Sequence, residues 1–174
     1  MPPGRNARRL GHMGSHDWEH GGLIHTFTWV GITEDPVTRV YALAFCPDNR
    51  ILLVGDGGDD GLIWLPGGGV EGEETGDEAL VRELQEEAGG MILAQELLGL
   101  QRVDRSDGTS EHHSFYWARI TLDPDFTPEH EILELRFVEP GDFLDTLFWG
   151  RSDPKAPMML EMALERDREY TPQD

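Results

Sequence analysis

Residues 68–90 read GGVEGEETGDEALVRELQEEAGG, a polar stretch with a pair of glycines at each end. Glycines at both ends and a Thr-Gly-Asp-Glu start predict a loop, a helix from about Asp77 capped by Thr75 or Asp77, and a stop at Gly89 and Gly90. On that helix Glu83, Glu86 and Glu87 stand at i, i+3 and i+4 and share a face, while Ala79, Leu80, Leu84 and Ala88 form the apolar side. Like charges so placed destabilise a helix by about 0.2–0.5 kcal/mol per pair. A chain that keeps three together is expected to hold a cation with them, and hard oxygen donors suit Mg²⁺, with Mn²⁺ as a substitute.

The segment resembles the Nudix box, G-x5-E-x7-R-E-U-x-E-E-x-G-U with U aliphatic, through Gly68, Glu74, Arg82, Glu83, Leu84, Glu86, Glu87 and Gly89. Only the final aliphatic position departs, being Gly90, followed at once by Met91 and Ile92. The resemblance implies an α/β fold, an α/β/α sandwich with a mixed β-sheet and a loop-helix-loop metal site. It also implies a Mg²⁺-dependent hydrolase that cleaves the pyrophosphate linkage of a nucleoside triphosphate or of a nucleoside diphosphate joined to another moiety. By the same correspondence Glu83, Glu86 and Glu87 are metal ligands, the Gly68 carbonyl is an additional one, and Arg82 orients the glutamates, with Glu74 as a partner. Glu83 is the first candidate for the general base; Glu131 and Glu134, in EHEILELRFVEP, are auxiliary ligand or base candidates. The alternative is a non-catalytic Nudix domain that senses nucleotides, a reading that loss of box glutamates would favour; none is lost.

The remaining sequence narrows the setting. A chain of 174 residues, 38% hydrophobic and 28% charged, suits a single domain, expected over 23–170 behind a flexible N-terminal arm at 1–22 that is rich in Gly, His and Arg. The formal charge of −20 opposes binding to nucleic acid or to an anionic membrane. The expected partner is a small nucleotide, and the resemblance admits a homodimer. Of 14 basic side chains only Lys155 is a lysine. Cys46 is the single cysteine and reads as a core residue, which points to a reducing cytoplasm.

Strands are expected over 24–33, 37–45, 51–54, 62–65, 91–103, 112–120 and 132–138, with a short helix after Pro140 and a longer one over 156–168. In the latter, Met158, Met159, Met162 and Ala163 form a stripe that reads as core packing. Gly67 to Gly72 also satisfies GxGxxG, but Glu71, Glu73 and Glu74 crowd the point where a pyrophosphate would sit, and the helix opens too late for a dinucleotide fold. The DGGDDG stretch from Asp56 lacks the closing glutamate of a calcium loop and reads as a hairpin connection. Of His112 and His113, neighbours on a strand, at most one can face a given site. Arg39, Arg102, Arg105 and Arg119 are candidates for phosphate contact, and Trp29, Trp64, Tyr116 and Trp117 for stacking on a base.

Overall fold

The computed structural model describes residues 16–20, 22–31, 34–57, 61–128, 132 and 134–172. Its frame is a mixed sheet built from β1 (His16–His20), β2 (Leu23–Gly31), β3 (Val37–Phe45), β4 (Ile51–Gly55), β5 (Ile63–Trp64), β6 (Gly67–Gly69), β7 (Gly90–Arg105), β8 (Ser110–Leu122) and β9 (Glu134–Val138). The order is β1-β2-β7-β8-β3-β4-β5, with β6 beside β3 and β9 beside β4. Among the described residues only β3 and β8 run parallel; the other pairs are antiparallel. Helices are α1 (Gly76–Ala88), α2 (Phe143–Thr146), preceded by a 3-10 turn at Pro140–Asp142, and α3 (Ala156–Glu169).

Alternation along the central strands sorts side chains into two cores. Leu43 and Phe45 of β3 with Phe115 and Trp117 of β8 face α2 and α3, where Phe143, Leu147, Met159 and Ala163 meet them. Val40, Ala42 and Ala44 of β3 with Ala118 and Ile120 of β8 face α1, meeting Ala79, Leu80, Leu84 and Ala88. Small residues dominate this second face, so α1 can settle close to the sheet, and close seating brings its glutamates near β6. Helices on both faces of a mixed sheet are the α/β/α sandwich expected from the sequence.

Two strands depart from expectation. The arm expected over 1–22 ends in β1, which pairs with β2 from His16 opposite Phe27 to His20 opposite Leu23, and the Thr26 hydroxyl donates to Asp17 Oδ1 at 2.6 Å. The glycines at 67–69, expected as loop, form β6, with Gly67, Gly68 and Gly69 opposite Tyr41, Val40 and Arg39. Gly67 has φ +141, and a Cβ there would lie 2.0 Å from the Val40 carbonyl oxygen, so only glycine lets β6 approach β3. The methionine stripe packs into the core, with Met159 buried and Met158 and Met162 against it. Cys46 is buried too, and desolvation pushes its thiol up to about 11.

Candidate active site

Helix α1 is held at both ends by local chemistry. Thr75 is its N-cap: the Thr75 hydroxyl accepts from the Glu78 N–H at 3.2 Å and the Glu78 carboxylate accepts from the Thr75 N–H at 2.8 Å, a reciprocal capping box. Gly89 closes the helix at φ 60, and a Cβ at that position would lie 2.5 Å from the Phe126 ring. The last turn carries Glu86 and Glu87 and no basic residue, the wrong sign for the negative end of the helix dipole. The sequence therefore keeps an arrangement that weakens the helix at its exposed end.

Arg82 organises the acids. Its guanidinium donates to both oxygens of Glu74 at 3.2 and 2.7 Å, to Glu83 Oε1 at 3.0 Å, to Glu86 Oε2 at 3.2 Å and to the Gly69 carbonyl at 2.8 Å. It thus ties the helix to the preceding loop and to β6. Arg82 holds the Glu74 carboxyl below its ordinary range. Glu83 moves the other way: burial raises its pKa more than Arg82 lowers it. Its carboxylate packs directly over Gly68, where an added Cβ would stand 2.3 Å from Oε1. Glu87 Oε2 accepts from the Gly67 N–H at 2.8 Å.

Gly68, Arg82, Glu83, Glu86 and Glu87 are thus brought into one neighbourhood, but the three glutamates do not converge. Glu83 and Glu87 line a cavity of about 1040 Å³, whereas the Glu86 side chain is 60% exposed and turned to Arg82. Among the described residues no three His, Cys, Asp or Glu side chains are grouped closely enough to hold an ion as they stand. Glu83 and Glu86 both accept from Arg82 Nη1 while Glu87 takes the Gly67 N–H, and equal spacing on a helix does not dictate equal rotamers. Glu131 lies outside the described residues. Glu134, on β9, is held by Arg136 at 2.9 Å and is not part of the cavity lining, whereas Asp56, next to its register partner Gly55, is.

The cavity lies on the sheet face that α2 and α3 cover. Its polar floor runs across the strands: Arg39 is in register with Gly69 on one side and His113 on the other, and His113 with Gln101. His113 Nε2 lies 2.7 Å from Glu111 Oε1, and Glu111 also pairs with Arg105. These contacts, that with His113 foremost, hold the Glu111 carboxyl down at about 2. Of the arginines proposed for phosphate contact, Arg102 is tied to Asp104 and Arg119 to Asp167 and Asn49, while the Arg39 side chain lines the cavity with no hydrogen bond or ion pair among the described residues. Of the aromatics, Trp64 lines the cavity; Trp29, Tyr116 and Trp117 are core residues. Tyr41, Phe115 and Trp149 were not singled out from the sequence, yet they form its aromatic wall, with Tyr41 and Phe115 stacked at 5.6 Å and Phe115 edge-on to Trp149 at 6.4 Å.

The model of the NUDIX domain matches residues 35–159. The chain belongs to the Nudix family. Its fold is similar to that of the Bacillus subtilis pyrophosphohydrolase BsRppH, with a TM-score of 0.68 and 19% identity over 87% of this chain and 97% of that one. It is also similar to the NUDIX domain of Shewanella oneidensis NrtR, crystallised with ADP ribose, with a TM-score of 0.57 and 20% identity over 77% of this chain and 90% of that one. A C. elegans Ap4A hydrolase aligns with a TM-score of 0.54 and 16% identity, over 76% of this chain and 99% of the other. At these identities the likeness concerns the fold. No curated protein matches the chain. Among the described residues, no helix of this Nudix chain is long and apolar enough to cross a membrane.

Proposed function

We propose that this Nudix protein is a Mg²⁺-dependent pyrophosphohydrolase acting on a nucleoside triphosphate or on a nucleoside diphosphate linked to another moiety. The observation that carries the reading is the meeting, in one cavity, of Glu83 and Glu87 from the box helix, the Arg39 guanidinium, which no carboxylate among the described residues engages, and an aromatic wall. Similar folds include a pyrophosphohydrolase and an Ap4A hydrolase, which are consistent with phosphoanhydride chemistry.

Glu83, Glu86 and Glu87, with the Gly68 carbonyl, would hold the divalent ion. The all-oxygen donor set fits Mg²⁺ or Mn²⁺, and Glu86 joins it by a side-chain rotation away from Arg82. A bound divalent ion there supplies neutralisation of the polyphosphate and acidification of coordinated water. Arg82 keeps Glu83 pointed over Gly68 by the contact to Oε1. Glu83, packed over Gly68 at the cavity lining, is the box carboxylate placed to take the proton of the attacking water. Arg39 offers the phosphates a planar donor that no carboxylate among the described residues occupies.

The test is product analysis with Mg²⁺ across nucleoside triphosphates, nucleotide sugars and dinucleoside polyphosphates, comparing the native chain with Glu86→Gln. Native turnover releasing a cleaved phosphoanhydride, with a loss of about 100-fold or more in an equally stable E86Q, supports the assignment. Full Mg²⁺-dependent activity in E86Q refutes it.

A further inference from the structure

Gln101 sits in β7 with 4% of its surface exposed, and it lines the cavity. Among the described residues its side-chain amide meets no hydrogen-bond partner. Its neighbour His113 is engaged by Glu111, so on this row Gln101 keeps both a donor and an acceptor uncommitted at the cavity surface. The buried side-chain atoms without a partner among the described residues are Trp29 Nε1 and Gln95 Oε1, so the Gln101 amide opens to the cavity, where a ligand can meet its donor and its acceptor together.

The placement says by what. The row runs Gly69, Arg39, His113, Gln101 across β6, β3, β8 and β7. Its first end adjoins the box glutamates, and Gln101 lies two strand spacings beyond Arg39, about 10 Å. That is comparable to the reach from a phosphate to the outer edge of the base in an extended nucleotide. Tyr41 and Phe115 occupy the adjacent row of the same face, where a flat ring can lie against them.

We propose that the aromatic wall takes the substrate's nucleobase and that Gln101 reads its edge, donating one hydrogen bond from the amide nitrogen and accepting one at the amide oxygen. Gln101 is then a specificity-determining residue: a base with adjacent donor and acceptor satisfies it, and a bare sugar phosphate leaves it unmet. This inference rests on the nucleotide-hydrolase reading above but concerns recognition, so binding tests it separately from turnover.

The experiment is equilibrium titration of the full chain with AMP, GMP, CMP, UMP and ribose 5-phosphate, read by tryptophan emission from Trp64 and Trp149 in the cavity. Native protein, Gln101→Leu and Gln101→Glu are compared. At least one nucleotide is expected to bind tenfold or more tightly than ribose 5-phosphate. Q101L should weaken that nucleotide by about tenfold to a hundredfold and leave ribose 5-phosphate unchanged. Q101E keeps the shape and an acceptor while losing the donors, and carries the test should Q101L fail to fold. Unchanged nucleotide affinity in the folded variants, or ribose 5-phosphate binding as tightly as every nucleotide, overturns the proposal. Discriminating binding without hydrolysis would instead count against the enzymatic reading alone.

Discussion

Replacing Gly68 by alanine isolates the position of one carboxylate. An added Cβ would lie 2.3 Å from Glu83 Oε1, 2.6 Å from Cδ and 2.8 Å from Oε2, and nothing else stands among its three nearest neighbours. Ordinary contact begins at 3.4 Å, so the Glu83 carboxylate must move by about 1 Å. The moving group is the end of a flexible side chain, and the cost to stability should stay within about 1 kcal/mol. A catalytic group misplaced by that much costs about 100-fold in rate. G68A should therefore melt within a few degrees of the native protein while its Mg²⁺-dependent kcat/KM falls by about two orders of magnitude, measured by pyrophosphate or phosphate release. Gly69 is the control on the same strand: a methyl there meets nothing within 4 Å, and G69A should stay far closer to native activity than G68A. Native kinetics in G68A, or an equal loss in both variants, would refute the placement of Glu83 at the reacting centre.

Three further outcomes follow from the same geometry. Arg82→Ala strands Glu74 and the Gly69 carbonyl and should cost about 1–3 kcal/mol by urea denaturation, along with activity; a neutral effect on both would show that the guanidinium organises nothing. Gly89→Ala puts a side chain at φ 60 against Phe126 and should destabilise by more than about 1 kcal/mol, read as a lowered urea midpoint; an unchanged midpoint contradicts the cap. Glu111, held at about 2 by His113 and Arg105, has a folded pKa below its unfolded value, so its stabilisation is present above about pH 4.5 and is lost as pH falls towards 2. The stability gap between native protein and Glu111→Gln should accordingly be widest near neutrality and close in acid; a gap independent of pH contradicts the pairing.

How much of this was legible in the sequence depends on where the signal resided. The bounds of β3 were readable because the β-branched and aromatic run from Val37 to Phe45 carries its own preference for a pleated, half-buried surface. The box helix was readable because Thr75 and Gly89 cap it chemically. Strand β6 was hidden, since three glycines present no side-chain pattern and pair only because β3 passes within reach. Strand β1 was hidden among histidines and glycines for a related reason: its pairing with β2, not local preference, makes it a strand. The aromatic wall was out of reach because Tyr41, Phe115 and Trp149 come from segments that only the sheet order brings together. The spacing of Glu83, Glu86 and Glu87 was legible, but the turn of Glu86 to Arg82 is a rotamer, which spacing does not encode.

The most direct measurement is the anomalous scattering map of a crystal soaked in Mn²⁺ together with a non-hydrolysable nucleotide. The account predicts a manganese peak within coordinating distance of Glu83, Glu86 and Glu87, with Glu86 drawn off Arg82 and the phosphates facing Arg39. A peak held by other residues, or glutamates that stay with Arg82 and the Gly67 amide while the nucleotide binds, would contradict it.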